Sequence, residues 1–120
     1  QTVKILEIKG RKIELENFYD RIVKFKFSEL CDRNLGSEDY LNIADNCDFI
    51  FIENLPDFDE NNSNQQQRFI TLIDIIYEKK IPLMITSQVK LDKMNSSKSM
   101  IQPFKRTISR LYELTSMNYN

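Results

Sequence analysis

The sequence contains no histidine. That removes histidine-based triads, histidine metal sites and the commonest general base. Glycine is almost as scarce, with only Gly10 and Gly36. A phosphate-cradling loop needs G-x-x-x-x-G-K-[ST], and a dinucleotide loop needs G-x-G-x-x-G. Neither can be written with these two glycines, so the chain carries no nucleotide-binding loop of its own. Two cysteines, Cys31 and Cys47, cannot build a structural zinc site without histidine. They are also fewer than a secreted disulfide scaffold carries. Two reduced, partly buried thiols are expected, with a single disulfide as the alternative. An excess of one charge sign is missing too: 17 basic residues face 18 acidic ones, for a net charge of −1. This gives no electrostatic basis for a nucleic-acid or anionic-membrane partner. No apolar run approaches the roughly 18 residues of a membrane span.

What is present is enough for one α/β domain. The 120 residues are 41% hydrophobic and 11% aromatic. The centre is Asp48-Phe-Ile-Phe-Ile-Glu-Asn54, whose four consecutive apolar residues, Phe49 to Ile52, read as a strand buried on both faces. Leu83 to Ile85, ending in Thr86 and Ser87, reads the same way. Between them Phe69, Leu72, Ile73, Ile76 and Tyr77 fall at helical spacing, with Arg68, Asp74 and Glu78 facing away. Ser63 and Gln66 fit a capping box. Two strands joined by a helix make a βαβ unit and a small parallel sheet.

The rest is read as extension or cover. Residues 3–16 form a hairpin turning at Gly10. Residues 22–88 form the core, with a strand at 22–27 whose Val23, Phe25 and Phe27 share one face. A connection at 28–35 holds at most a short helical turn. A helix capped by Ser37 runs to about Asn46, with Tyr40, Leu41 and Ala44 as its apolar stripe. The polar segment 89–100 is expected to be mobile. A closing helix over 103–117 buries Phe104, Ile108, Leu111, Tyr112 and Thr115, with Arg110 three residues before Glu113. A chain opening on Gln1 rather than Met is expected to be a piece of a longer protein or a processed product.

Three groups could carry chemistry. Glu53 ends an apolar strand, as a metal-holding acid would, but an acid at a strand end also simply meets solvent. Asp57, Asp59 and Glu60 could hold Mg²⁺ or Ca²⁺, and a solvated loop explains them as well. Arg106 and Arg110, one helical turn apart, could meet a phosphate or an acidic partner. A surface face with an Arg110–Glu113 pair is the plain alternative.

A family resemblance adds to these readings. Phe25-Lys-Phe-Ser-Glu-Leu-Cys-Asp-Arg-Asn-Leu-Gly-Ser-Glu-Asp-Tyr-Leu41 resembles the F-x-F-x-x-L-C-x-x-x-L-G-x-x-D-Y-L segment of the ZapE cell-division ATPases, bacterial relatives of a mitochondrial AAA+ ATPase. Ile52-Glu-Asn-Leu-Pro56 is similar to that family's strand entering a proline turn. Arg68-Phe-Ile-Thr-Leu-Ile-Asp74, with Tyr77, resembles its R-F-I-x-L-x-D-x-x-Y helix. Phe104 to Ser116 resembles its F-x-R-x-x-S-R-L-x-E-M-x-S closing helix. The resemblance implies the C-terminal domain of such an ATPase, with ATP and Mg²⁺ held upstream on the same polypeptide and no catalytic residue here. It also implies an upstream ATPase domain as partner, a possible homo-oligomer, and a protein substrate such as the division protein FtsZ. The location implied is the bacterial cytoplasm or, alternatively, the mitochondrial matrix. Arg106 and Arg110 match the two arginines of the closing helix and are the candidates for nucleotide or subunit contact. Arg68 and Glu53 are weaker ones. A free-standing α/β protein-binding module without nucleotide chemistry remains the competing expectation, and a small enzyme using Glu53 and the acidic loop with a metal a more distant one.

Overall fold

The computed structural model describes residues 2–8, 11–18 and 21–116. Two antiparallel strands, β1 (Thr2–Ile8) and β2 (Arg11–Phe18), form the expected hairpin as a sheet of their own. The turn at Gly10 lies outside the described residues. The core follows as β3 (Ile22–Lys26), α1 (Phe27–Cys31), α2 (Ser37–Asp45), β4 (Phe49–Leu55), α3 (Ser63–Glu78), β5 (Leu83–Ser87) and α4 (Ile101–Thr115). Met117, expected in the last helix, lies outside the described residues.

The three core strands are parallel and neighbour one another in chain order, β3-β4-β5. Register aligns Val23 with Ile50 and Leu83, and Phe25 with Ile52 and Ile85. These side chains share the face under the helices, and all but Ile85 are fully buried. The βαβ expectation therefore holds, but burial of β4 and β5 on both faces does not: in β5, Met84 is 48% exposed. Ile50 and Ile52 are buried, whereas Phe49 and Phe51 are only half-buried. Right-handed crossovers between strands laid down in one direction place their helices on the same side. The second face receives no helix among the described residues.

Each helix start has a local cause. The Gly36 N–H donates to the Asp39 carboxylate at 2.7 Å, so Gly36 caps α2 and Ser37 is its first residue, not its cap. The stripe of α2 is Tyr40, Ile43 and Ala44, with Leu41 turned to solvent. α3 is capped at Asn62 and has no box between Ser63 and Gln66, because Gln66 is fully buried and bonded elsewhere. In α4 the buried positions are Phe104, Thr107, Leu111 and Leu114, while Tyr112 lies outside. Thr107 can take a buried place because its hydroxyl donates to the Pro103 carbonyl at 3.2 Å. Phe58 joins these elements at the carboxyl end of the sheet. Its ring lies 5.8 Å from Phe27, 6.0 Å from Phe69 and, edge-on, 5.4 Å from Phe104.

Candidate functional site

Arg106 and Arg110 both meet Asp74 across the seam between α4 and α3. The expected Arg110–Glu113 pair is not what holds Arg110. Its guanidinium donates to the Asp74 carboxylate and lies over the Tyr77 ring, 4.5 Å from the centroid. The Arg110 side chain is only 22% exposed and that of Asp74 35%. The Glu113 carboxylate instead acts on the Tyr77 phenol, holding its pKa above the usual value. Asp74, read from the sequence as facing away, thus faces the neighbouring helix. Arg106 is differently placed: 3.8 Å from Asp74 and 58% exposed. Arg110 is committed to joining two helices, and Arg106 presents most of its donors to solvent.

Arg68 and Glu53 do not join this group. Arg68 donates to the Cys31 carbonyl at 3.0 Å, so it ties α1 to α3 and does not face away. Glu53 lies within β4, which runs on to Leu55, so it does not end the strand. It sits 3.4 Å from the Lys24 ammonium. Asn54 takes a positive φ of 63°, at the irregularity in the β4–β5 register. Its N–H donates to the Thr86 hydroxyl at 3.0 Å. The polar strand ends are thus engaged with one another.

The acidic loop has a structural task. Asp57 accepts from the Asn95 N–H and from Asn95 Nδ2, both at 2.7 Å. Asp59 accepts from the Asn61 N–H at 2.8 Å. Glu60 accepts from the Lys98 N–H at 2.9 Å. Gln66 completes the clamp, donating to the Ser96 hydroxyl at 2.8 Å and accepting from the Ser97 N–H at 3.1 Å. Partial burial opposes the charged form of Asp57, but the hydrogen bonds from the Asn95 side chain, the Asn95 N–H and the Phe58 N–H outweigh it, and its pKa falls below the ordinary value. The segment read as mobile is therefore pinned through Asn95 to Lys98. Among the described residues no cluster of carboxylates and thiols could hold a metal ion.

Both cysteines are buried, and neither is in a disulfide. Burial pushes the Cys31 thiol up to about 12, which leaves it protonated and unreactive at neutral pH. Tyr40 beside it donates to the Leu30 carbonyl at 2.7 Å. One feature had no sequence signal: a cleft of about 290 Å³ lined by Arg21, Asp45, Asp48, Lys79 and Lys80. Arg21 pairs with Asp48 at 2.7 Å and Lys79 with Asp45 at 2.6 Å. The cleft lies where α2 and α3 end, so helix carbonyls oppose anion binding there. Of the candidates, Arg106 alone combines charge, exposure and a rigid support.

Over residues 1–120 the chain matches the family model described as AFG1-like ATPase. It is similar to Lactation elevated protein 1 homolog B of Danio rerio, with 34% identity over 91 residues, 76% of this chain and 18% of that protein. It is also similar to the cell division protein ZapE of Escherichia coli strain K12, with 25% identity over 114 residues, 95% of this chain and 30% of that protein. The chain spans less than a third of the length of these relatives. No solved structure matches. No helix among the described residues is long and apolar enough to cross a membrane.

Proposed function

The chain belongs to the AFG1-like ATPase family, and from that premise we propose that it is the domain of a larger AAA+ ATPase that supports nucleotide-driven work without holding the nucleotide loop. The observation that carries this reading is a whole-chain match to an ATPase family in a sequence with two glycines and no phosphate-binding pattern. ATP and Mg²⁺ would bind elsewhere on the longer polypeptide, upstream as the resemblance implies. The work would be remodelling of a protein partner. One relative's name points to cell division, which makes a division protein in the bacterial cytoplasm the first partner to try, and protein turnover in the mitochondrial matrix the second.

Within that reading Arg106 is the contact residue, reaching toward bound nucleotide, a neighbouring domain or a neighbouring subunit, and Arg110 positions the helix that carries it. Asp74 serves both, pairing with Arg110 and leaving Arg106 at the longer distance of 3.8 Å. A guanidinium suits this role because it stays charged and can fork onto a phosphate or carboxylate. The test is ATP turnover and assembly of the protein as its gene encodes it, compared with Arg106→Ala. Turnover or assembly at least tenfold lower, with helix stability unchanged, supports the role. Unchanged turnover and assembly refute it. ATP titration of residues 1–120 alone should give no saturable binding, and tight Mg-ATP binding would overturn the assignment of the nucleotide loop to another part of the polypeptide.

A further inference from the structure

The two edges of the parallel sheet differ. At one, β2 of the hairpin packs against β3. At the other, β5 pairs with β4 and has no strand on its outer side among the described residues. The Ile50 N–H donates to the Pro82 carbonyl at 3.1 Å. The alternation of a parallel pair then turns the Met84 backbone groups to β4 and those of Leu83 and Ile85 outward. Among the described residues neither finds a backbone partner there. A row of such N–H and C=O groups is a template for one more strand. This edge opens onto a cleft of about 180 Å³ lined by Leu83, Met84, Ile85, Ser87, Leu91 and Thr115.

Helix α4 forms the opposite wall. Ile101, Lys105, Ile108, Tyr112 and Thr115 recur at steps of four and three, which sets them along one side of it. Thr115 lines the cleft, so the stripe borders it. Ile101 and Tyr112 are 44% and 47% exposed, apolar surface that a helix turned only to water has no use for. The charge of the rim is one-sided. Lys90 and Lys93 flank Leu91, and Lys105 stands next to Phe104, whose ring meets Phe58 at the carboxyl end of the sheet. All three lysines are exposed and have no ion-pair partner among the described residues. Asp92 offsets only one of them, in a chain whose net charge is −1.

We propose that the outer edge of β5 and this side of α4 form a groove for an extended acidic segment of a protein partner. The segment adds to β5 as a further strand, bonding to the Leu83 and Ile85 backbone. It lays apolar side chains toward Ile108 and Tyr112 and sets carboxylates against Lys90, Lys93 and Lys105. The backbone groups demand an extended chain, and the lysines select its charge. A second copy fits poorly. Twofold pairing of one β5 edge with another is antiparallel. It would lay Lys90 and Lys93 over the amino end of the other β5, beside Lys80, which is also exposed. The proposal goes beyond the reading above, because it needs neither nucleotide nor a further domain.

The probe is a fluorescein-labelled heptapeptide that alternates valine and threonine and ends in two glutamates. It is titrated by anisotropy into the protein purified as its gene encodes it. Saturable binding is expected, at least tenfold weaker for the peptide ending in two lysines and for one N-methylated at alternate backbone nitrogens. Replacing the three exposed lysines together, as Lys90→Glu, Lys93→Glu and Lys105→Glu, leaves the core intact and should reverse the preference to the lysine peptide. Residue-resolved hydrogen exchange should slow at least tenfold at the Ile85 amide on saturation, and far less at Met84, already bonded to β4. No saturable binding overturns the proposal. So does a lysine or N-methylated peptide that binds as well as the first, or a triple variant that keeps the glutamate preference. An Ile85 amide already protected before peptide is added overturns it too. Protection lost on hundredfold dilution then assigns the edge to a second copy, and protection that persists assigns it to another segment of the same polypeptide.

Discussion

The pair between Asp74 and Arg110 allows a quantitative test of how the α3–α4 seam is held. Exposed ion pairs contribute about 0.2–1 kcal/mol, and removing one partner of a buried pair costs about 3–5 kcal/mol. With side chains 22% and 35% exposed, this pair falls between those limits. Arg110→Ala also strips the guanidinium from the Tyr77 face. We expect Arg110→Ala and Asp74→Ala each to cost about 2 kcal/mol, with a coupling of about 1–1.5 kcal/mol in the double-mutant cycle. The suitable assay is hydrogen exchange of α3 and α4 amides, which reads local opening in whatever length of polypeptide carries them. A cost of 2 kcal/mol corresponds to roughly thirtyfold faster exchange. Arg106→Ala, at 3.8 Å and 58% exposed, should change these rates by less than a factor of about 2 to 3, as an exposed pair would. A coupling below about 0.5 kcal/mol, or equal effects from Arg106→Ala and Arg110→Ala, would refute the division of roles between the two arginines.

Three further outcomes are expected. Asp57→Ala removes both hydrogen bonds to Asn95 and should speed amide exchange in residues 89–98 tenfold or more, leaving α3 unaffected. Because the folded pKa of Asp57 lies below its unfolded value, the clamp is complete above about pH 3.9 and loosens as pH falls through the folded value; loosening on raising the pH from 5 to 8 would contradict this sign. Gln66→Met keeps the volume but leaves the buried Ser97 N–H without its acceptor, and should cost about 1–3 kcal/mol by hydrogen exchange of the same segment. Cys31 should resist alkylation at pH 8, and since its folded pKa is raised from 9.0 to about 12, its contribution to stability is full below pH 9 and is lost as pH rises toward 12, a fall that Cys31→Ala should lack.

The resemblance stated from Phe25 to Leu41 and from the closing helix agrees with the family match over the whole chain. The fold was equally legible where it depends on local pattern: the apolar runs of β4 and β5, the helical spacing of α3 and the start of α4 near Pro103 all reappear. The site was less so. Asp57, Asp59 and Glu60 look like metal ligands because three acids crowd four positions, yet Asp57 finds its partner 38 residues away. Asp74 looks like a solvent residue on an isolated α3, yet its partner Arg110 is 36 residues away. Gln66 has the spacing of a capping box, but Ser96 and Ser97 offer its buried amide two partners at once.

Residue order alone determined three strands, the helices between and after them, parallel pairing and the absence of a nucleotide loop, because periodicity, β-branched content and glycine count act over a few residues. Only the tertiary structure decided which arginine is held and which is presented, that the acidic loop clamps residues 95–98, and that one face of the sheet receives no helix among the described residues. Those outcomes follow from crossover handedness and strand order, which bring distant residues together and put the helices on one side of the sheet, and no local pattern encodes them.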